Sequence, residues 1–190
     1  MPKKIKFVDV VKYGFLVEPR YYFYGWSKTS KIIGRLSAVK ALLRARKFLP
    51  KGYNFKVWDC HRPLKVQILM LKSFRKRILN LYSELSAKER AQILYEFGGP
   101  ALKRITRLDT HRNGGSFDLT IVDRLGKELY MGTDFDDLTK KATLDYFENK
   151  KNLSEPGKKV QKNRRLLKRA LTKAGFINYS PEWWHWSYKK

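Results

Sequence analysis

The chain has 190 residues, 43% apolar and 14% aromatic, which suits one folded domain with a full hydrophobic core and excludes a low-complexity protein. Its one cysteine, Cys60, excludes an intrachain disulfide and a cysteine-rich zinc site, and no run approaches the roughly 18 consecutive apolar residues of a membrane span. Forty-two Lys and Arg against seventeen Asp and Glu give a formal charge of +25, which predicts non-specific attraction to polyanions, set against the plainer reading of a surface kept soluble by lysines.

The N-terminus, Met1 to Phe7, is basic but is followed by no apolar signal core and no small-residue cleavage site, so a cytoplasmic location is expected. The first thirty residues read as short extended pieces and loop, with the aromatic stretch Tyr21 to Trp26 packing on the core or lining a cleft. From Lys31 to Leu49, Ile33, Leu36, Ala38, Leu42, Leu43 and Ala45 recur at helical spacing, and Pro50-Lys51-Gly52 stops that helix. Tyr53 to Trp58 alternates apolar with polar and reads as a strand that ends at Asp59. Pro63 opens a second helix reaching about Arg77, and residues 80–105 are helical in tendency, interrupted by Gly98-Gly99-Pro100. Thr110 to Gly115 is a turn-rich loop, Ser116 to Val122 a strand, and Glu128 to Met131 its hairpin partner across Leu125-Gly126. A basic helix over Gly157–Ala174 follows, closed by Gly175, and a last strand carries Trp183, Trp184 and Trp186. With no repeat and no linker, residues 1–190 form one α+β domain, a small and mainly antiparallel sheet flanked by helices.

Three features carry chemistry. Pro181-Glu182-Trp183-Trp184-His185-Trp186 boxes a carboxylate and an imidazole among tryptophans, and buried groups of that kind must each find a partner. His111-Arg112-Asn113-Gly114-Gly115-Ser116-Phe117-Asp118 puts a second imidazole in a glycine turn and a carboxylate seven residues later on a strand. His111, Asp118 and His185 form a plausible three-ligand set for Zn²⁺, since catalytic zinc commonly takes three protein ligands and leaves a fourth position to water; the competing reading is a capping Asp and a surface His. Glu182, at the entry to the last strand, has the character of a general base for such a water, or else of a salt-bridged carboxylate. Arg62, held between the strand end and Pro63, is placed to clamp an oxyanion. His61 should point away from Arg62 and Cys60 should be a small packed residue.

Trp58-Asp59-Cys60-His61-Arg62-Pro63, then His111 to Thr120, then Met131-Gly132-Thr133-Asp134-Phe135-Asp136, then Glu182 to His185 closely resemble the VanX-type D-alanyl-D-alanine dipeptidases, in that family's order. Gln161 to Leu166 and the exit through Gly175-Phe176 and Tyr179-Ser180 resemble its last helix. The likeness covers most of the chain and is weakest over about residues 70–108. It implies an α+β fold with one zinc ion, bound by His111, Asp118 and His185, in a small cavity that admits a dipeptide. Glu182 would be the general base, Arg62 would stabilise the tetrahedral intermediate, and Asp136 with Tyr21 would hold the substrate ammonium. Asp109 stands where the family has Ser, near the substrate carboxylate, and its repulsion would need a cation such as Arg107 or Arg112. Ser116 replaces a family Ala.

The expected function is zinc-dependent hydrolysis of D-Ala-D-Ala or a similar D,D-dipeptide. One alternative is a peptidoglycan D,D- or L,D-carboxypeptidase or wall-lytic peptidase with the same zinc site, whose +25 charge would serve adsorption to acidic wall polymers. The other is a basic nucleic-acid or membrane-surface binding protein with a vestigial zinc site, its footprint the helix around Lys158 to Lys173.

Overall fold

The computed structural model describes residues 5–99, 111–148 and 150–189. Asp109 and Arg107 lie outside the described residues. The chain folds as α+β, with a five-stranded sheet of order β2-β4-β5-β7-β6 in which only β2 and β4 are parallel. These strands are Leu16–Val17 (β2), Asn54–Asp59 (β4), Ser116–Val122 (β5), Ile177–Asn178 (β6) and His185–Ser187 (β7). A separate ribbon pairs Phe7–Asp9 (β1) with Ile33–Arg35 (β3). The helices are Arg20–Phe23 (α1), Leu36–Arg46 (α2), Leu64–Leu81 (α3), Ala87–Gly98 (α4) and Glu155–Lys173 (α5).

Every residue of the central strand β5 is buried, and its two faces differ. Phe117, Leu119 and Ile121 point into the hydrophobic core, whereas Ser116, Asp118 and Thr120 alternate onto the opposite face. A central strand that buries a row of polar side chains needs a reason, and the row leads to the site described below. Strand β7 has the same division, with Trp186 in the core and His185 and Ser187 facing Asp118 and Ser116 across the ladder.

Helix α3 runs one turn beyond Arg77, because Val66, Met70, Phe74 and Ile78 continue an apolar row at four-residue spacing. Helix α4 starts at a reciprocal cap between Ser86 and Glu89. Helix α5 begins at Glu155, with Ser154 accepting from the Gly157 amide, two residues before the predicted start.

Three expectations are corrected. The predicted helix over Lys31–Leu49 begins only at Leu36, since Ile33 to Arg35 pairs with β1. Gly34 explains the extended entry: a Cβ there would lie 3.0 Å from both Cys60 Sγ and Val39 Cγ2, so the backbone is pressed against the core. The hairpin partner over Glu128–Met131 is reduced to a bridge between Val122 and Glu128 and one further bond, Leu129 N to Ile121 O. Trp183 and Trp184 lie in the turn before β7 and not in the strand itself.

Candidate active site

His111 sits in a turn directly before β5, and the main chain fixes that turn from both sides. The Arg62 amide donates to His111 O at 3.2 Å, and the Arg35 amide donates to Gly114 O at 2.8 Å. Gly114 has φ +65°, and a Cβ there would come within 2.6 Å of the Phe7 ring and 2.9 Å of Arg35 N, so no other residue fits without displacing that ring and the main chain of β3. The imidazole Nδ1 is 2.7 Å from Cys60 O. A carbonyl only accepts, so Nδ1 carries the proton and Nε2 presents its lone pair to the sheet.

That lone pair faces His185 and Asp118. His111 Nε2 is 3.1 Å from His185 Nδ1 and 3.4 Å from Asp118 Oδ2, and His185 Nδ1 is 3.1 Å from Asp118 Oδ1. Burial pushes the Asp118 carboxyl up, but His111, the bond from His185 and the Arg62 guanidinium together hold it well below the usual carboxylate range. His185 is held below the ordinary imidazole value, first by burial and then by His111 and Arg62, against the opposing pull of Asp118. A neutral imidazole is the ligating form.

Glu182 is 7% exposed, with Oε2 3.7 Å from His185 Nδ1. Burial, then the charges of Asp118 and Asp136, push its carboxyl well above the usual range, against the pull of Arg62. A tight turn supports it: the Glu182 amide donates to Tyr179 O, and Asn178 Nδ2 donates to the carbonyls of both Glu182 and His185 at 3.0 and 2.8 Å. Trp183, Trp184 and Trp186 are fully buried around that turn and hold it by packing.

Arg62 is clamped along its length. Nε donates to Asp59 Oδ2 at 2.7 Å, Nη2 to Asp118 Oδ2 at 2.6 Å and Nη1 to Gln67 Oε1 at 3.0 Å, and the guanidinium lies 4.8 Å from the Tyr21 ring centroid. Tyr21 is buried and donates to Met70 Sδ at 3.2 Å. Asp136 adopts φ +58°, a strained conformation for a residue with a Cβ. Its Oδ2 is buried without a hydrogen-bond partner among the described residues, and burial, then Asp118 and Asp59, push its carboxyl up to about 8 against Arg62 and Arg77.

One cavity of about 370 Å³ is lined by Tyr21, Arg62, His111, Asp118, Asp136, Glu182 and His185. Every site residue singled out in the sequence therefore meets there, except Asp109, which lies outside the described residues. His61 packs edge-on to Phe7 at 4.8 Å and is not in the lining. Cys60 is buried, and burial first of all pushes its thiol up, as for an inert packed cysteine. The sequence reading missed Asp59 and Gln67 as partners of Arg62, and Asn178 as the clamp on the Glu182 turn. Gln67 alone left a trace, on the helix face that also carries Met70 and Leu71.

The residues present fit a metal ion. One ligand atom each from His111, Asp118 and His185 lies within 4.8 Å of the others, and two nitrogens with one carboxylate oxygen are a donor set for zinc or a similar divalent cation. A largely buried His₂-carboxylate set with a second carboxylate of raised proton affinity beside it defines the class: a metal-dependent hydrolase centre.

The comparisons narrow that class. The D-Ala-D-Ala dipeptidase family model, Peptidase M15, matches residues 22–190. The chain is 27% identical over 173 residues to a D-alanyl-D-alanine dipeptidase of Synechocystis sp., covering 83% of this chain and 70% of the relative. It is 26% identical over 170 residues to one of Enterococcus faecium, covering 84% and 74%. A D-alanyl-D-alanine dipeptidase of Escherichia coli is 35% identical over a shorter stretch of 81 residues. The chain belongs to the Peptidase M15 family of D-Ala-D-Ala dipeptidases, which are metallopeptidases. Among the described residues no helix is long and apolar enough to cross a membrane.

Proposed function

We propose that the protein hydrolyses D-alanyl-D-alanine, or a closely similar D,D-dipeptide, to free amino acids, with one zinc ion held by His111 Nε2, His185 Nδ1 and an Asp118 oxygen. The observation that carries this reading is the convergence of those donors within 4.8 Å, with Glu182 Oε2 at 3.7 Å from His185 Nδ1. Bound there, the ion supplies Lewis acidity toward the scissile carbonyl and lowers the pKa of a water.

The chain's own groups do the rest. Glu182, with its raised proton affinity, takes the proton of the attacking water on its carboxylate and delivers it to the departing amine. Arg62 brings a fixed positive charge to the oxygen on which negative charge develops. Asp136, whose Oδ2 has no hydrogen-bond partner among the described residues, receives the substrate ammonium beside Tyr21, and the incoming positive charge favours its ionised form. The tryptophans exclude water and cost no reorganisation when the charge develops.

A panel of Ala-Ala stereoisomers tests this, run with and without a chelator. Expected is hydrolysis of the D,D isomer, loss on chelation and recovery with added zinc. Zinc-loaded protein that cleaves no dipeptide sinks the reading. Cleavage of a wall-stem pentapeptide in preference to the free dipeptide would move the activity to a carboxypeptidase.

A further inference from the structure

We propose that Gln67 is a positioning residue for Arg62, tying the guanidinium to the rim of the cavity at the end of α4. This rests on the role given to Arg62 above. The side-chain amide of Gln67 has one orientation open to it, because a guanidinium only donates. Oε1 therefore accepts from Arg62 Nη1 at 3.0 Å, and Nε2 donates to Gly98 O at 2.6 Å.

That carbonyl is a fixed anchor. Gly98 ends α4, and a Cβ on it would lie 2.3 Å from Leu71 Cδ2, so the last turn of α4 sits directly on α3. Leu71 is one helical turn beyond Gln67 and shares its face. The contact that seats α4 thus also sets the height of the Gly98 carbonyl above Gln67. From there the chain of contacts runs Gly98 O, Gln67 amide, Arg62 Nη1, and both Gly98 and Gln67 line the cavity.

Gln67 matters because of what else holds Arg62. Nε and Nη2 are bonded to two buried carboxylates, Asp59 and Asp118, which draw the guanidinium toward the sheet. On Nη1 the strong acceptor is the neutral Gln67 oxygen, with Met70 Sδ as a weak one at 3.1 Å. Gln67 balances that pull and fixes the orientation of the planar fork. Without it the charge remains in the site but loses its aim, which weakens stabilisation of the developing oxyanion and leaves ground-state binding alone.

Gln67→Met, of similar shape and without the amide, is therefore expected to lower kcat about tenfold, the scale of one hydrogen bond to a charged group, with KM and metal content unchanged and the thermal midpoint lowered by only a few degrees. In an Arg62→Ala background the same substitution should cost nothing further. The distinct Arg62 side-chain ¹⁵N–¹H signals of the wild type should broaden or merge in Gln67→Met. An equal loss of kcat in both backgrounds, or unchanged Arg62 signals, overturns the proposal. A wild type inactive on every dipeptide would sink the functional reading alone, since the Arg62 signals still report whether Gln67 holds the guanidinium.

Discussion

Glu182→Gln is expected to keep about one zinc per chain and to lose about 10³-fold in turnover, the size of a missing general base, or about 4 kcal/mol of barrier. Gln has the shape of Glu, and the turn that carries it is held by main-chain bonds and by Asn178, so the site should remain assembled. The effect on stability should have the opposite sign. The native carboxylate is buried beside Asp118 and Asp136, whose charges oppose its ionisation. In the zinc-free protein a neutral amide removes that penalty, so the thermal midpoint measured after chelation should stay level or rise. Activity and stability would then diverge at one residue, as expected where a strained site serves catalysis. Metal analysis, steady-state kinetics and thermal unfolding on the same preparation read all three effects. A variant with wild-type turnover would remove Glu182 from the mechanism, and one that also loses its metal would make Glu182 a structural support of the triad.

How far the sequence led depended on whether a residue's partner was near or far along the chain. Strands β4 and β5 were legible from alternation, and α5 from its apolar stripe and terminal glycine, because those signals are local. The antiparallel sheet followed from element order. Strand β3 was not legible, since Ile33 and Leu36 fit a helical spacing as well as a strand, and its pairing with β1 is set by contacts remote in sequence. The same limit governed the site. His111, Asp118, Glu182 and His185 stood out because an ionisable group among aromatics or glycines is costly without a purpose. Asp59 passed as the end of a strand, although it donates nothing and accepts the Arg62 Nε bond across the bend at Cys60 and His61. Asn178 was not singled out at all, because its two acceptors appear only when the chain doubles back.

Arg164 supports the opposite expectation, a variant that folds poorly without touching the substrate. It is 2% exposed in the middle of α5 and spends its guanidinium on three main-chain carbonyls: Nε on Met131 at 2.8 Å, Nη1 on Thr143 at 2.6 Å and Nη2 on Lys141 at 3.0 Å. Burial holds its pKa down at about 10, against a smaller upward pull from Asp137, so it remains charged at neutral pH. The rings of Phe147 and Trp183 lie 5.0 and 5.7 Å from its guanidinium carbon and offset part of the desolvation. These bonds pin both ends of the segment 131–143, which carries Asp136, onto α5. Trp183 closes the assembly from the other side, its amide donating to Ala142 O and its indole to Thr133 Oγ1. Arg164→Met fills much of the volume but leaves three carbonyls without their donor, which should cost roughly 3–5 kcal/mol and lower the thermal midpoint by about 10 °C. Arg164→Lys keeps the charge but cannot reach three carbonyls with one ammonium, so it should recover only part of the loss. Because Asp136 rides on the pinned segment, the enzyme that remains folded at low temperature should show a raised KM with kcat less affected. Urea unfolding with kinetics below the transition separates the two effects, and an Arg164→Met protein within about 1 kcal/mol of wild type would show that the carbonyls find water instead.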